Sequence, residues 1–116
     1  MSWDEIKKKV EDAGGVLTMT MDVLRDAEGA GKLGVHIRTS ISKNLAGNGL
    51  GHVPTELPAN QHEPVRLYKK GTPVGDLIDT VLNPGDQNDR KLVEQLGHEG
   101  PDYRALVQRI RELVEE

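Results

Sequence analysis

The sequence contains no cysteine and no phenylalanine, and its aromatic residues are one tryptophan and two tyrosines. Without cysteine the chain has no disulfide framework, no thiolate zinc site and no cysteine nucleophile. Without phenylalanine its core must be aliphatic. No apolar run approaches the roughly 20 residues that cross a bilayer, and the N-terminal MSWDEIKKKV is too charged for a signal peptide. We therefore expect a soluble cytoplasmic protein with no membrane partner.

The sequence also lacks recognisable catalytic and metal-binding patterns. Its four histidines are His36, His52, His62 and His98. They lack the i, i+3 or i, i+4 spacing of metal-binding pairs, and His52 is expected to be an ordinary polar residue. The run GAGKLG lacks the spacing of a phosphate-binding loop, and Ser42 has no activating base nearby in sequence. The sequence predicts a protein that is not an enzyme and that uses no metal or cofactor.

Charge is unevenly distributed, although the net charge is only −4. Residues 30–72 hold six basic and two acidic residues, whereas the rest of the chain holds nine basic and seventeen acidic residues. The six basic residues are Lys32, Arg38, Lys43, Arg66, Lys69 and Lys70. This asymmetry predicts a basic face on an acidic body, which suits a polyanionic partner such as nucleic acid.

The N-terminal third of the chain is predicted to be helical, with one short strand. Ser2 and Glu5 form a capping-box pattern in front of a helix over residues 2–13. The apolar pair at residues 16–17 predicts a short strand. A second helix then follows a threonine cap, either Thr18 or Thr20, and ends at the glycines of AEGAG.

A third helix is predicted over residues 32–46, because four aliphatic residues recur at every fourth position and define one buried stripe. They are Leu33, Ile37, Ile41 and Leu45. The GNG that follows ends this helix. Residues 50–53 and 65–69 are predicted strands, and the polar loop TELPANQHE joins them into a hairpin.

The C-terminal part is predicted to be helical over residues 74–82 and 86–96, and again after Pro101. The last helix has an aliphatic stripe that must be buried, either against the first helix or against a second copy of the chain. We therefore divide the chain into a core of residues 1–72 and an extension of residues 73–116. This extension packs on the core or forms a homodimer through its last helix.

The predicted order is helix, short strand, helix, helix and a two-stranded hairpin. Over about residues 2–72 the chain resembles the winged helix-turn-helix superfamily. The resemblance depends on the stretch VLTMTMDVLRDAEGAGKLGVHIRTSISKNLAGNGLGHVP, followed by EPVRLYKK. The resemblance implies a mainly α fold with a small β-hairpin, extended here by C-terminal helices. It also implies that the third helix enters the DNA major groove and that the hairpin loop, the wing, contacts the backbone or the minor groove. The AEGAG turn is looser than is typical between the two helices of the motif.

Residues that would contact double-stranded DNA follow from this resemblance and from the outward face of the third helix. They are Lys32, His36, Arg38, Thr39, Ser42, Lys43, Gln61, His62, Arg66, Lys69 and Lys70. Arginine can pair with guanine, and serine or threonine can contact phosphates or bases. Alternatively, Lys69 and Lys70 protect a strand edge, and Arg66 pairs with an acidic residue.

The function predicted from the sequence is that of a non-enzymatic DNA-binding protein that acts in transcription regulation. Two alternatives stay open. The first is a protein–protein interaction module of the same fold. The second is the N-terminal targeting domain of a larger DNA-acting enzyme, since the chain is similar in style to winged modules attached to bacterial nucleases, helicases and restriction systems.

Overall fold

The structure is a computed structural model that describes residues 1–96 and 112. Within these residues the chain is an α/β protein with five helices and one three-stranded antiparallel sheet. In chain order the elements are α1 (Trp3–Asp12), β1 (Val16–Thr20), α2 (Met21–Glu28), α3 (Val35–Gly47), β2 (Leu50–Val53), β3 (Pro64–Lys69), α4 (Pro73–Leu82) and α5 (Asp86–Leu96). The helix predicted after Pro101, and the dimer expected from it, lie outside the described residues.

The chain divides into two compact units. The first comprises residues 1–75 and contains α1 to α3 and the whole sheet, and the second begins at Asp76. The first unit carries ten basic and nine acidic residues, so it is close to neutral despite the acidic sequence as a whole.

The first helix begins where the capping pattern predicts. Ser2 is the N-cap, and its hydroxyl accepts a hydrogen bond from the backbone N–H of Glu5 at 3.2 Å, which satisfies one of the free N–H groups of the first turn. Ile6 and Val10 are fully buried on one face of this helix. The predicted capping box therefore identifies the start of α1 correctly.

The sheet has the strand order β1-β3-β2, and β3 pairs antiparallel with both neighbours. The predicted hairpin of β2 and β3 is confirmed. The predicted two-residue strand is too short, because β1 extends over five residues to Thr20 and pairs along β3 from Tyr68 to Pro64. Its partner is about 50 positions later in the chain, so local spacing does not reveal the full length of β1.

The core lies between the helices and one face of the sheet. Because side chains alternate along a strand, the inward face of β3 carries Val65 and Leu67, both fully buried. Aliphatic residues from the three helices and the other strands complete the cluster, namely Ile6, Val10, Met19, Met21, Leu24, Ile41, Leu45 and Leu50. The expectation of an aliphatic core is confirmed in the described part of the chain.

The third helix starts three residues later than predicted. It begins at Val35, after Gly34 as N-cap, and this N-cap residue has no side chain to bond the first turn. Lys32 and Leu33 lie in the connection from α2, which Gly29 opens at φ +75°. The start predicted at Lys32 is wrong because the two nearby glycines disfavour helix, although Leu33 still packs against the core.

Gly75 allows the first turn of α4 to lie against the end of β3. The hydroxyl of Thr72 donates to the carbonyl of Lys69 at 2.7 Å and accepts from the N–H of Gly75 at 3.1 Å. A Cβ on Gly75 would lie 1.9 Å from the same Lys69 oxygen. This close approach therefore requires glycine.

Candidate nucleic-acid interface

A groove of about 340 Å³ opens between α3 and the loop of residues 54–63 that joins β2 to β3. We call it the α3–loop groove. Its lining residues are Val35, Arg38, Thr39, Ser42, Thr55, Glu56 and Leu57. The four from α3 are spaced i, i+3, i+4, i+7 and therefore share one face of the helix. Three of them, Arg38, Thr39 and Ser42, are predicted DNA-binding residues.

The loop of residues 54–63 folds back onto α3. Leu57 is buried and belongs to the core cluster, which anchors the loop. Nη1 of Arg38 donates to the carbonyl of Leu57 at 3.3 Å. Arg38 thus forms part of one wall of the groove and contacts the loop directly.

The far end of the same loop is attached to the start of α2. The N–H groups of Met21 and Asp22 donate to the carbonyls of Glu63 and Gln61, each at 3.0 Å. Nη1 of Arg25 donates to Oε1 of Gln61 at 2.5 Å. Loop carbonyls therefore satisfy two of the free N–H groups at this helix terminus.

Thr20, one of the two threonines predicted as a cap, occupies the N-cap position of α2, but its side chain makes no cap hydrogen bond. Its hydroxyl donates instead to the carboxylate of Asp22. This hydrogen bond is the main reason why the pKa of Asp22 lies below its ordinary value, and the backbone N–H groups of Val23 and Asp22 act in the same direction.

Ser42 and His52 form a hydrogen-bonded pair at the edge of the groove. Oγ of Ser42 lies 3.0 Å from Nε2 of His52, and Nδ1 of the same ring lies 2.8 Å from the carbonyl oxygen of Pro54. Because a carbonyl only accepts, Nδ1 carries the hydrogen, and Nε2 of the neutral ring accepts from the Ser42 hydroxyl. Ser42 has no base near it in sequence, but folding brings His52 to it.

The polar groups of the groove have unequal freedom to bind a ligand. The hydroxyl of Thr39 donates to the carbonyl of Val35 at 2.9 Å, so it offers a ligand only lone pairs. Nε of Arg38 is buried and has no hydrogen-bond partner within residues 1–96 and 112. Glu56 adds a carboxylate on the loop side.

Three other predicted residues lie on α3 or just before it. His36 and Lys43 are exposed and share a face with Thr39, with i, i+3, i+7 spacing that spans about 10 Å along the helix. Lys32 is exposed in the connection that precedes the helix. Together with the groove residues they form the outward surface of α3.

The remaining predicted residues lie elsewhere. Arg66 alternates with the inward-facing Val65 and Leu67 along β3, so its side chain is on the opposite face of the sheet. Lys69 ends β3, about 17 Å along the strand from the loop, and its Nζ is beside Gly49 at the end of α3. Lys70 follows it. Arg66 is thus on the other side of the sheet from the core, and Lys69 and Lys70 are beside Gly49, at the end of β3 away from the loop.

Gln61 and His62 are exposed, as expected for loop residues. The bond from Arg25 holds Gln61 at the end of the loop attached to α2, and the N–H of His62 donates to Oδ1 of Asn60 at 2.8 Å. Neither lines the α3–loop groove. The loop sequence PTELPANQHE also contains two acidic residues and no lysine or arginine, so it supplies no side-chain cation for phosphate contact.

Four groove features were not predicted: Val35, the His52 pair, Glu56 and the burial of Leu57. Val35 is 62% exposed, and its spacing from Arg38 and Thr39 is a signal that the sequence does carry. Leu57 is the only large apolar residue of the loop, which is a second signal that the sequence carries. The Ser42–His52 contact crosses a chain reversal and has no local signal.

No protein-family model, curated protein or solved structure matches this chain. Within residues 1–96 and 112, no three His, Asp or Glu side chains come together as a metal site. In the same part of the chain, no helix is long and apolar enough to span a membrane.

Proposed function

We propose that residues 1–75 are a winged helix-turn-helix domain that binds duplex DNA, with α3 as the recognition helix. The observation that carries the proposal is the strand order β1-β3-β2 around α2 and α3, with β1 and β2 antiparallel to β3. The order of helices and strands along the chain is the one that the resemblance implies, and in that superfamily the third helix enters the major groove. The strand from before α2 thus completes the sheet of the hairpin.

The outward surface of α3 has the chemistry that base recognition needs. Thr39 and Ser42 are short polar groups that can approach base edges, and Val35 can contact the methyl group of thymine. Lys32 and Lys43 are exposed near this surface and can bind phosphates. The buried Ile41 and Leu45 hold the helix rigidly from behind.

The loop contributes to this DNA complex less than a typical wing would, because it lacks lysine and arginine and is attached to α2 and α3. Electrostatic binding is therefore assigned mainly to Lys32 and Lys43. Lys69 and Lys70 add a weaker contribution from the end of α3 where the chain turns into β2.

Salt dependence of binding to a mixed-sequence duplex tests the proposal. We expect the slope of log affinity against log salt to fall by about two when Lys32 and Lys43 are both changed to alanine, since each phosphate contact contributes about 0.9. The matched control changes Lys8 and Lys9 to alanine. These exposed lysines lie on α1, so the control removes the same charge and should leave the slope unchanged. Equal slopes for both pairs, or no duplex binding at low salt, would contradict the proposal.

A protein-interaction role is the second candidate, and the acidic loop favours it. Glu56 and Glu63 are exposed, and the loop has no lysine or arginine to offset them. In this case the partner presents a basic surface. The result that favours it is no duplex binding at low salt, together with capture of a protein partner that is weakened when both glutamates are changed to glutamine.

A further inference from the structure

We propose that His52 is a positioning residue that decides whether Ser42 donates or accepts a hydrogen bond in the α3–loop groove. As a result, DNA binding at this groove takes up a proton. This inference rests on the proposed function and adds to it the condition under which one groove residue can bind a phosphate oxygen. The observation behind it is the chain of hydrogen bonds from Ser42 through His52 to the carbonyl of Pro54.

With a neutral ring, the hydrogen of the Ser42 hydroxyl is used. The bond of 2.8 Å from Nδ1 to the Pro54 carbonyl requires the hydrogen on Nδ1, so Nε2 is an acceptor and Ser42 donates to it. Ser42 then presents only lone pairs to the groove. Phosphate oxygens also have only lone pairs, so in this state Ser42 cannot bond a DNA phosphate.

With a protonated ring, the hydrogen bond between the two residues reverses. Both ring nitrogens are then donors, so Nε2 donates to Oγ of Ser42 while Nδ1 keeps its bond to the Pro54 carbonyl. The hydroxyl hydrogen of Ser42 is released and can point into the groove toward a phosphate oxygen. No atom has to move far, because the same 3.0 Å contact serves both states.

Ser42 is the groove residue whose hydroxyl bonds to a histidine ring, so its hydrogen bond can reverse direction. Thr39 has given its hydrogen to the carbonyl of Val35, an acceptor that does not change with pH. Arg38 is a permanent donor, partly used by the Leu57 carbonyl. Protonation of the His52 ring therefore changes Ser42 from an acceptor to a donor toward the groove.

Other ionisable side chains lie on the elements packed around His52, and the variants that test the proposal must leave these residues unchanged. Helix α3, strand β3 and the loop carry Arg38, Lys43, Lys69 and Glu56 on the helix side of the sheet. Three of them are cationic and one is anionic. His36 and His62 are also ionisable, and both are exposed.

The experiment measures the affinity for a mixed-sequence DNA duplex by fluorescence anisotropy from pH 8 to pH 5.5 at constant ionic strength. For the wild type we expect binding to tighten about fivefold to tenfold on acidification, the equivalent of one new hydrogen bond of ordinary net strength. Ser42→Ala and His52→Gln should each remove most of this gain, and Ser42→Thr, which keeps the hydroxyl, should retain it. A double variant with His36→Gln and His62→Gln is the control and should keep most of the gain.

Circular dichroism of each variant checks that it is folded. A wild-type pH dependence that survives in Ser42→Ala, or that runs in the opposite direction, would overturn the inference and leave DNA binding itself established. No duplex binding at any pH would overturn the proposed function and this inference with it. Nitrogen chemical shifts of the His52 ring in the free protein test the starting state without DNA, and a hydrogen on Nε2 at pH 8 would contradict it.

Discussion

The two sides of α3 differ in how far their side chains are buried. On the side facing α2, Ser40 and Asn44 donate to the two oxygens of one carboxylate, Glu28, at 2.5 and 2.6 Å. Ile41 and Leu45 next to them are fully buried. On the groove side, Val35 and Thr39 are exposed.

This difference separates stability from recognition on one short helix. The side facing α2 has its hydrogen bonds made and its apolar groups buried, so changes there should cost free energy of folding. The groove side has exposed side chains, so changes there should alter ligand affinity and cost little free energy of folding. Residues of similar chemistry on the two sides, or within and outside the groove, should therefore respond differently to the same substitution.

The largest expected effect is a loss of stability on the side of α3 that faces α2. Ile41→Ala should lower the free energy of unfolding by about 2–5 kcal/mol, because it removes buried methyl groups and leaves a cavity. Val35→Ala, six residues earlier on the groove side, should change it by less than about 0.5 kcal/mol. Urea unfolding measures both. A similar loss for the two variants would contradict the assignment of sides.

The next effect concerns the two glutamates nearest α3. Glu28→Ala should cost about 2 kcal/mol, since two hydrogen bonds to a half-buried carboxylate are lost. Glu56→Ala in the groove removes an exposed carboxylate and should cost less than about 0.5 kcal/mol. Thermal unfolding of the two variants under one set of conditions decides this. If Glu56→Ala loses as much stability as Glu28→Ala, the two sides of α3 do not differ in the way we infer.

Most of the secondary structure could be predicted from the sequence, because its signals are local. The capping pattern at Ser2, the glycines after α2 and the alternation along β3 all act within a few residues. The start of α3 was predicted at Lys32 because the aliphatic stripe begins at Leu33. Leu33 does pack on the core, but Gly31 and Gly34 keep it outside the helix. The aliphatic spacing thus predicts correctly that Leu33 is buried, but it does not predict where the helix begins.

The candidate site could be predicted only in part. Helical spacing places Arg38, Thr39 and Ser42 on one face, and the structure keeps them together in the groove. The other wall depends on where the loop packs, which follows from the burial of Leu57. The bond between Ser42 and His52 depends on the same chain reversal. Such contacts arise from tertiary packing, and spacing along the sequence does not encode them.

A smaller effect should distinguish the two serines of α3. Ser40→Ala should lower stability by about 1–2 kcal/mol, because it breaks a hydrogen bond to the Glu28 carboxylate, and should leave affinity for duplex DNA unchanged at every pH. Ser42→Ala should cost about 0.5–1 kcal/mol of stability and should weaken duplex binding at acidic pH. Unfolding curves and anisotropy titrations on the same samples check both. A weakening of DNA binding by Ser40→Ala alone would reverse the roles.

The smallest effect concerns the loop charges. Glu56→Gln removes a negative charge from the groove and should tighten duplex binding about twofold to fivefold at low salt, with the gain fading as salt rises. Glu63→Gln is the matched control, because it makes the same charge change at the end of the loop attached to α2. Equal gains for both variants would show that net charge, and not the position in the groove, determines the effect.

The most direct test of the central claim is amide chemical-shift mapping of the wild-type protein titrated with a mixed-sequence duplex at low salt. If α3 is a recognition helix, the largest shifts will lie in residues 32–43 and in residues 55–57 of the groove, while those of α1 stay small. Shifts concentrated on α1 or beyond Asp76, with α3 unperturbed at saturation, would contradict the account.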